Sequence, residues 1–233
     1  MAFDKLRPRF PYFLERIRIF HKGKKYMSKI KAFENFSDEY DEWFIRNNDI
    51  YQLELDAIKS LIPSKGYGLE VGVGSGKFAI PLGIKIGIEP SKRMAEKAKQ
   101  QGIEVYDAVA EKLPFDEGVF DFILLVTTIC FVDDPLKALR EAHRVLRHDG
   151  FILIAFVDLE SRLGQQYQER KDRSRFYKDA TFYSLKEVLT YLDKAGFIKF
   201  EIKQTLFDNQ TKSSVLDGYG KGSFVVIKAM RGE

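Results

Sequence analysis

From Tyr67 onward, short apolar runs alternate with stretches of helical periodicity, the pattern of a parallel sheet flanked by helices. Strands are predicted near 68–73, 84–88, 104–106, 120–126 and 151–157. The intervening helices fall at 91–101, with Ser91 as N-cap, and at 135–146, with Pro135 in the first turn. Only ten residues separate Val73 from Ile84 and Pro81 lies among them, so the first crossover helix is expected to be a turn or two. Ahead of the sheet, 28–62 reads as helical. Phe33, Phe36, Tyr40, Trp43 and Phe44 recur at helical spacing, and Leu53, Leu55, Ile58 and Leu61 continue the run until Pro63 and Gly66 stop it. After Asp158 the chain is polar and aromatic but helix-compatible over 159–178. An amphipathic helix at 184–194, closed by Gly196, and strands near 197–205 and 222–229 complete the pattern.

A chain of 233 residues, 45% hydrophobic and 31% charged, supports one well-buried core. The expected organisation is a basic N-terminal arm at 1–26 and a single domain at 27–233, within which 27–62 is a helical N-terminal segment and 159–183 a cap insertion. Met27 opens a new segment and could serve as the native start. The net charge of +4 resides in the arm: its first 25 residues hold eight Lys or Arg against Asp4 and Glu15, leaving a slightly acidic body. Such a body lacks the footprint of a dedicated nucleic-acid binder, so a nucleic-acid partner is disfavoured. With no signal-peptide pattern and no membrane-length apolar run, a cytoplasmic protein without a membrane partner is expected. The single cysteine, Cys130, cannot form an internal disulfide and has no spaced partners for zinc, so no metal site is assigned.

The chemistry concentrates at Leu69-Glu70-Val71-Gly72-Val73-Gly74-Ser75-Gly76, at the end of an apolar run. Glycines there let a ligand approach the main chain at the edge where open α/β sheets bind cofactors. A dinucleotide fingerprint would need glycine at Lys77, and a P-loop would need glycine at Val71 with Ser or Thr at Phe78, so both fail. Glu89 ends the next apolar run, and a carboxylate there can accept from both hydroxyls of a ribose.

The surviving pattern E-x-G-x-G-x-G resembles the first motif of class I S-adenosylmethionine-dependent methyltransferases. Ala110-Glu111-Lys112-Leu113-Pro114-Phe115, Phe120-Asp121-Phe122-Ile123 and Arg144-Val145-Leu146-Arg147-His148-Asp149-Gly150 follow in the order found in the branch that includes ubiquinone and menaquinone biosynthesis methyltransferases. The aromatic helix Tyr40-Asp41-Glu42-Trp43-Phe44 and the late segment from Phe182 to Phe197 extend the resemblance to about 28–230. It implies an α/β fold with a Rossmann-like, doubly wound, seven-stranded and mostly parallel sheet.

The same resemblance implies S-adenosylmethionine as cofactor and S-adenosylhomocysteine as product. Gly72, Gly74 and Gly76 would lie against the methionine and ribose parts, with Glu70 supporting the loop and Glu89 holding the ribose hydroxyls. Met94 and the 110–111 backbone (Ala110, Glu111) would bind adenine; Thr127 would line the methionine end, and Tyr40 and Pro90 complete the donor site. Val109 stands where relatives often carry Asp, which leaves the partner of the adenine amino group open. Trp43, Phe131, Tyr167, Phe176, Tyr177 and Tyr183 are the candidates for a small-molecule acceptor pocket. In-line methyl displacement requires no dedicated general base, and none of the three histidines is assigned to catalysis. The alternative reading is a donor-binding or regulatory module without turnover. Methylation of a nucleic-acid base would call for an [N/D]-P-P-aromatic segment where the chain has Thr127-Thr128-Ile129-Cys130. Nitrogen, oxygen, carbon and sulfur all remain open as the methylated atom.

Overall fold

The structure, a computed structural model, describes residues 24–63, 65–207 and 214–233, with side chains from Lys29 onward. The basic arm therefore lies outside the described residues up to position 23. Its expected end at position 26 falls inside α1 (Lys24–Asn35), at the third residue of the helix. Two further helices, α2 (Ser37–Arg46) and α3 (Asn48–Lys59), follow before the sheet.

The sheet is built from β1 (Gly68–Val71), β2 (Ile86–Ile88), β3 (Glu104–Tyr106), β4 (Phe120–Val126), β5 (Leu146–Val157), β6 (Phe197–Phe207), β7 (Leu216–Asp217) and β8 (Gly222–Arg231). Their spatial order is β3-β2-β1-β4-β5-β8-β6-β7, with β1 to β5 parallel and β8 antiparallel between β5 and β6. The sheet thus has eight strands rather than the expected seven. The extra one, β7, pairs only Lys203 and Gln204 of β6 through two residues, too short to carry an alternating hydrophobic pattern.

Both faces of the sheet are covered, which is why the central strands read as continuous apolar runs. Leu69, Ile123, Leu125 and Ile152 on one face pack with α5 (Pro135–Val145) and α7 (Leu185–Lys194). Leu124, Val126, Leu153 and Phe224 on the other pack with α3 and α4 (Lys92–Gln100). The helix starts follow their caps. Ser91 accepts from the Met94 amide, Asp134 accepts from the Lys137 amide at 3.0 Å ahead of Pro135, and Ser184 forms a capping box with Glu187. Gly196 ends α7 with φ +93°.

The expected short helix between Val73 and Ile84 does not form; the stretch is a series of turns. Pro81 has no N–H to offer the Lys77 carbonyl one turn back. That carbonyl accepts from the Tyr51 hydroxyl at 2.5 Å instead, tying the crossover to α3. Within the predicted cap, α6 (Arg162–Arg170) is the regular part, and 174–183 is irregular chain wrapped around aromatic side chains.

Candidate active site

The strand order reverses between β1 and β4, and the carboxyl ends of those strands open onto one cavity, the position where doubly wound sheets bind ligands. β1 ends at Val71, and Gly72, Gly74 and Gly76 follow with φ of +75°, +56° and +90°. The amides of Gly72 and Val73 donate to the Ile88 carbonyl at 2.8 and 3.0 Å, pinning the loop to β2. Glu89 then accepts from the Gly74 amide through Oε2 at 2.9 Å and from the Ser91 amide through Oε1 at 2.8 Å. An ionised carboxylate has about four acceptor sites, and these amides orient it using two.

Glu70 lies beneath the loop and is almost fully enclosed. It accepts from the Ala79 backbone, while Oε2 has no hydrogen-bond partner among the described residues. Burial pushes its carboxyl well above the usual range, and the neighbouring charge of Glu89 adds to the effect.

Helices α1 and α2 are stitched across the open side by polar contacts. Asp41 accepts from the Ser75 hydroxyl at 2.5 Å and from the Lys97 ammonium at 2.8 Å, and Glu34 accepts from the Ser91 hydroxyl at 2.6 Å. The buried Lys29 donates to the Val132 carbonyl at 2.7 Å and pairs with Asp133 at 2.9 Å, anchoring α1 to the exit of β4. The cap meets these helices from the other side. Phe176 packs against Phe33 and Tyr40 with ring centres 5.5 and 6.0 Å apart, and Arg175 pairs with Glu39 above the Phe36 ring. Tyr177 stacks on Phe131 and Tyr167 at 6.0 and 5.4 Å.

The cavity gathers Tyr40, Gly72, Gly74, Glu89, Pro90, Met94, Ala110, Glu111 and Thr127 from the donor-side candidates, and Trp43, Phe131, Tyr167, Phe176 and Tyr177 from the acceptor-side candidates. Glu70, Gly76 and Tyr183 are not in its wall. A Cβ on Gly76 would come within 2.7 Å of Ile103 Cδ1, so packing and a left-handed φ account for that glycine. Tyr183 precedes the N-cap of α7, packs edge-on to Tyr191 at 5.9 Å and faces a smaller neighbouring cavity beside Cys130 and Phe182. The Glu111 carboxylate accepts from the amides of Asp133 and Asp134 at 2.6 and 3.2 Å, so the side chain braces the turn before α5.

Thr127 adopts φ +49° at the end of β4, a strained setting for a β-branched residue and one that clusters at functional sites. Glu54 was absent from the sequence candidates, yet it sits in the wall of the same cavity, 7% exposed on α3. Its signal was present: Glu54, Ala57, Ile58 and Leu61 fall at i, i+3, i+4 and i+7, one inward stripe of a helix. Burial pushes the Glu54 carboxyl up to about 8. The Tyr40 phenol is driven far above its ordinary value by burial, then by the charges of Glu70, Glu89, Glu54 and Asp41, so it stays protonated.

A doubly wound sheet with a glycine loop after its first strand, an acid after its second and an antiparallel final strand inserted beside the fifth defines a class I methyltransferase architecture. Residues 69–154 match the family described as a methyltransferase domain. The chain is 46% identical over 203 residues to an uncharacterized protein of Methanocaldococcus jannaschii, covering 86% of this chain and 98% of that one. It is 48% identical to a solved SAM-dependent methyltransferase of Thermotoga maritima described as a possible histamine N-methyltransferase; the match covers 87% of this chain and 99% of that one, with a TM-score of 0.84. Demethylmenaquinone methyltransferase of Staphylococcus aureus is 24% identical over 211 residues, 74% of this chain and 86% of that one. The chain belongs to the S-adenosylmethionine-dependent methyltransferases.

S-adenosylmethionine is accordingly its cofactor, and the donor side fits that group. A Cβ on Gly74 would stand 3.4 Å from Met94 Cε and 3.9 Å from the Tyr40 ring, filling space that only glycine leaves open beside an apolar wall and an oriented carboxylate.

Proposed function

We propose that the chain is an active methyltransferase that moves a methyl group from S-adenosylmethionine to a small-molecule acceptor. One observation supports this above all. The glycine loop and Glu89 share a single cavity with Trp43, Phe131, Tyr167, Phe176 and Tyr177, so there is room for an acceptor directly beside the donor side. When bound, the donor supplies an electrophilic methyl group on a positively charged sulfur.

In this reading Glu89 accepts from the ribose hydroxyls, Met94, Pro90, Ala110 and Glu111 flank adenine, and Gly72, Gly74, Tyr40 and Thr127 surround the methionine end. Glu70 acts from beneath by holding the Ala79 amide and thus the loop. The aromatic rings orient the acceptor and exclude water, which can supply much of the rate gain in an in-line displacement. The N-terminal arm, 1–26, is a separable basic tail in this proposal, and 27–233 is the catalytic domain. A cytoplasmic location accords with the lone buried Cys130 and with no described helix being long and apolar enough to cross a membrane.

The test is transfer itself. Purified chain incubated with methyl-labelled donor and a broad panel of small metabolites should yield a labelled, mass-shifted product and S-adenosylhomocysteine in equal amounts. Donor binding without transfer to any acceptor would favour a binding or regulatory module instead.

A further inference from the structure

The acceptor side of the cavity contains one carboxyl group that the donor chemistry does not use. Glu54 projects from α3 into the wall shared with Tyr40, Trp43, Phe176 and Tyr177. It is more than nine-tenths buried, and among the described residues no hydrogen bond or ion pair reaches its carboxylate. The one lysine in that wall, Lys29, is already engaged by the Val132 carbonyl and Asp133. The nearby groups that feel the Glu54 charge are the phenols of Tyr40, Tyr51, Tyr167 and Tyr177. Glu70 and Glu89, both buried, act on Tyr40 in the same direction.

Resting on the methyltransferase reading above, we propose that the acceptor is an amine, bound as its ammonium ion against the Glu54 carboxylate within the aromatic wall. A buried carboxylate without a donor is costly, and an ammonium provides both the missing charge and the missing N–H donors. Aromatic faces around the cation add cation–π stabilisation. A neutral alcohol brings no positive charge to favour the ionised Glu54 carboxylate, and neither does an acidic acceptor.

The same carboxylate resolves the chemical difficulty of an ammonium, which has no lone pair. Glu54 takes one proton from the bound ammonium, leaving a neutral amine. The amine lone pair then forms the N–CH3 bond while the methyl–sulfur bond breaks and its electron pair stays on sulfur. The products are a methylated ammonium and the neutral thioether, and Glu54 passes its proton to water once the site opens. Burial raises the Glu54 carboxyl to about 8, above an ordinary carboxylate, which lowers the cost of moving a proton onto it from an ammonium.

The experiment uses the full chain saturated with S-adenosylhomocysteine. Calorimetry compares 2-phenylethylamine, tyramine and hexylamine with 2-phenylethanol, tyrosol and hexanol, in which a hydroxyl replaces the ammonium. At least one amine should bind about tenfold or more tightly than its alcohol, and Glu54→Gln should erase that preference while S-adenosylhomocysteine affinity stays within about twofold. With labelled donor, Glu54→Gln should lower methylation of the preferred amine by about 100-fold or more, and Glu54→Asp should recover part of it. If no amine outbinds its alcohol, or if Glu54→Gln retains the preference, the amine assignment is overturned. Transfer to alcohols without amine preference overturns it while leaving the small-molecule methyltransferase intact. Donor-product binding without transfer to any acceptor overturns both.

Discussion

At the scale of single residues, Glu89 shows how one carboxylate can organise a loop and remain aimed at a ligand. Its two oxygens take the amides of Gly74 and Ser91, which fixes the side chain beside the glycine loop before a cofactor arrives. Removing it should weaken S-adenosylhomocysteine binding by about 2 to 3 kcal/mol, the value expected for charged hydrogen bonds to two hydroxyls. Calorimetry on Glu89→Ala, with thermal unfolding as the check on folding, measures this; unchanged affinity in a folded variant would defeat the ribose role. Glu89 was legible in the sequence because it follows a strand at a fixed distance from three glycines. Glu54 is hard to single out from sequence because an acid in an amphipathic helix resembles a solvent-facing position unless its place on the apolar stripe is followed. For Tyr183 aromatic character suggests a pocket, and the structure places its ring edge-on to Tyr191 and beside the smaller neighbouring cavity.

Among the elements, the loop after β1 carries the tightest constraint. A Cβ on Gly72 would stand 2.5 Å from Thr128 Oγ1, and φ is +75° there. Gly72→Ala must therefore strain the backbone and push aside the chain that follows β4, at a combined cost of about 2 to 4 kcal/mol. Urea unfolding should show the loss, and S-adenosylhomocysteine affinity should fall with it because Thr128 and Gly72 line the same cavity; a variant as stable as the parent would show that the loop yields freely. The strands and the helices at 91–101, 135–146 and 184–194 were legible because apolar runs, Ser91, Pro135 and Gly196 act over a few residues of chain. The crossover at 74–83 was not. Its conformation depends on the Lys77 carbonyl finding Tyr51, a partner 26 residues away.

For the whole molecule, the main question is how ligands reach a cavity covered on two sides. Helices α1 and α2 are held by Asp41, Glu34 and Lys29, while the cap meets them through Phe176 and Arg175 rather than through sheet hydrogen bonds. Side-chain contacts of this kind can break without disturbing the sheet, so both segments should open for exchange of substrate and product. Hydrogen exchange should show slower exchange of α1, α2 and 162–183 when S-adenosylhomocysteine is added, with β4 protected throughout. Equal protection with and without ligand would mean a fixed wall. By itself, the sequence determined the α/β alternation, the glycine loop and the acid after β2, because each is written in contiguous residues with local steric or hydrogen-bonding consequences, and the order of its motifs carried the resemblance that implies the methyl donor. The tertiary structure alone decided which aromatic rings share a cavity, that Glu54 faces it, and that Gly76 and Tyr183 do not. Those outcomes depend on helices and a cap from distant parts of the chain packing against one sheet end, and no local periodicity encodes the direction from which they arrive.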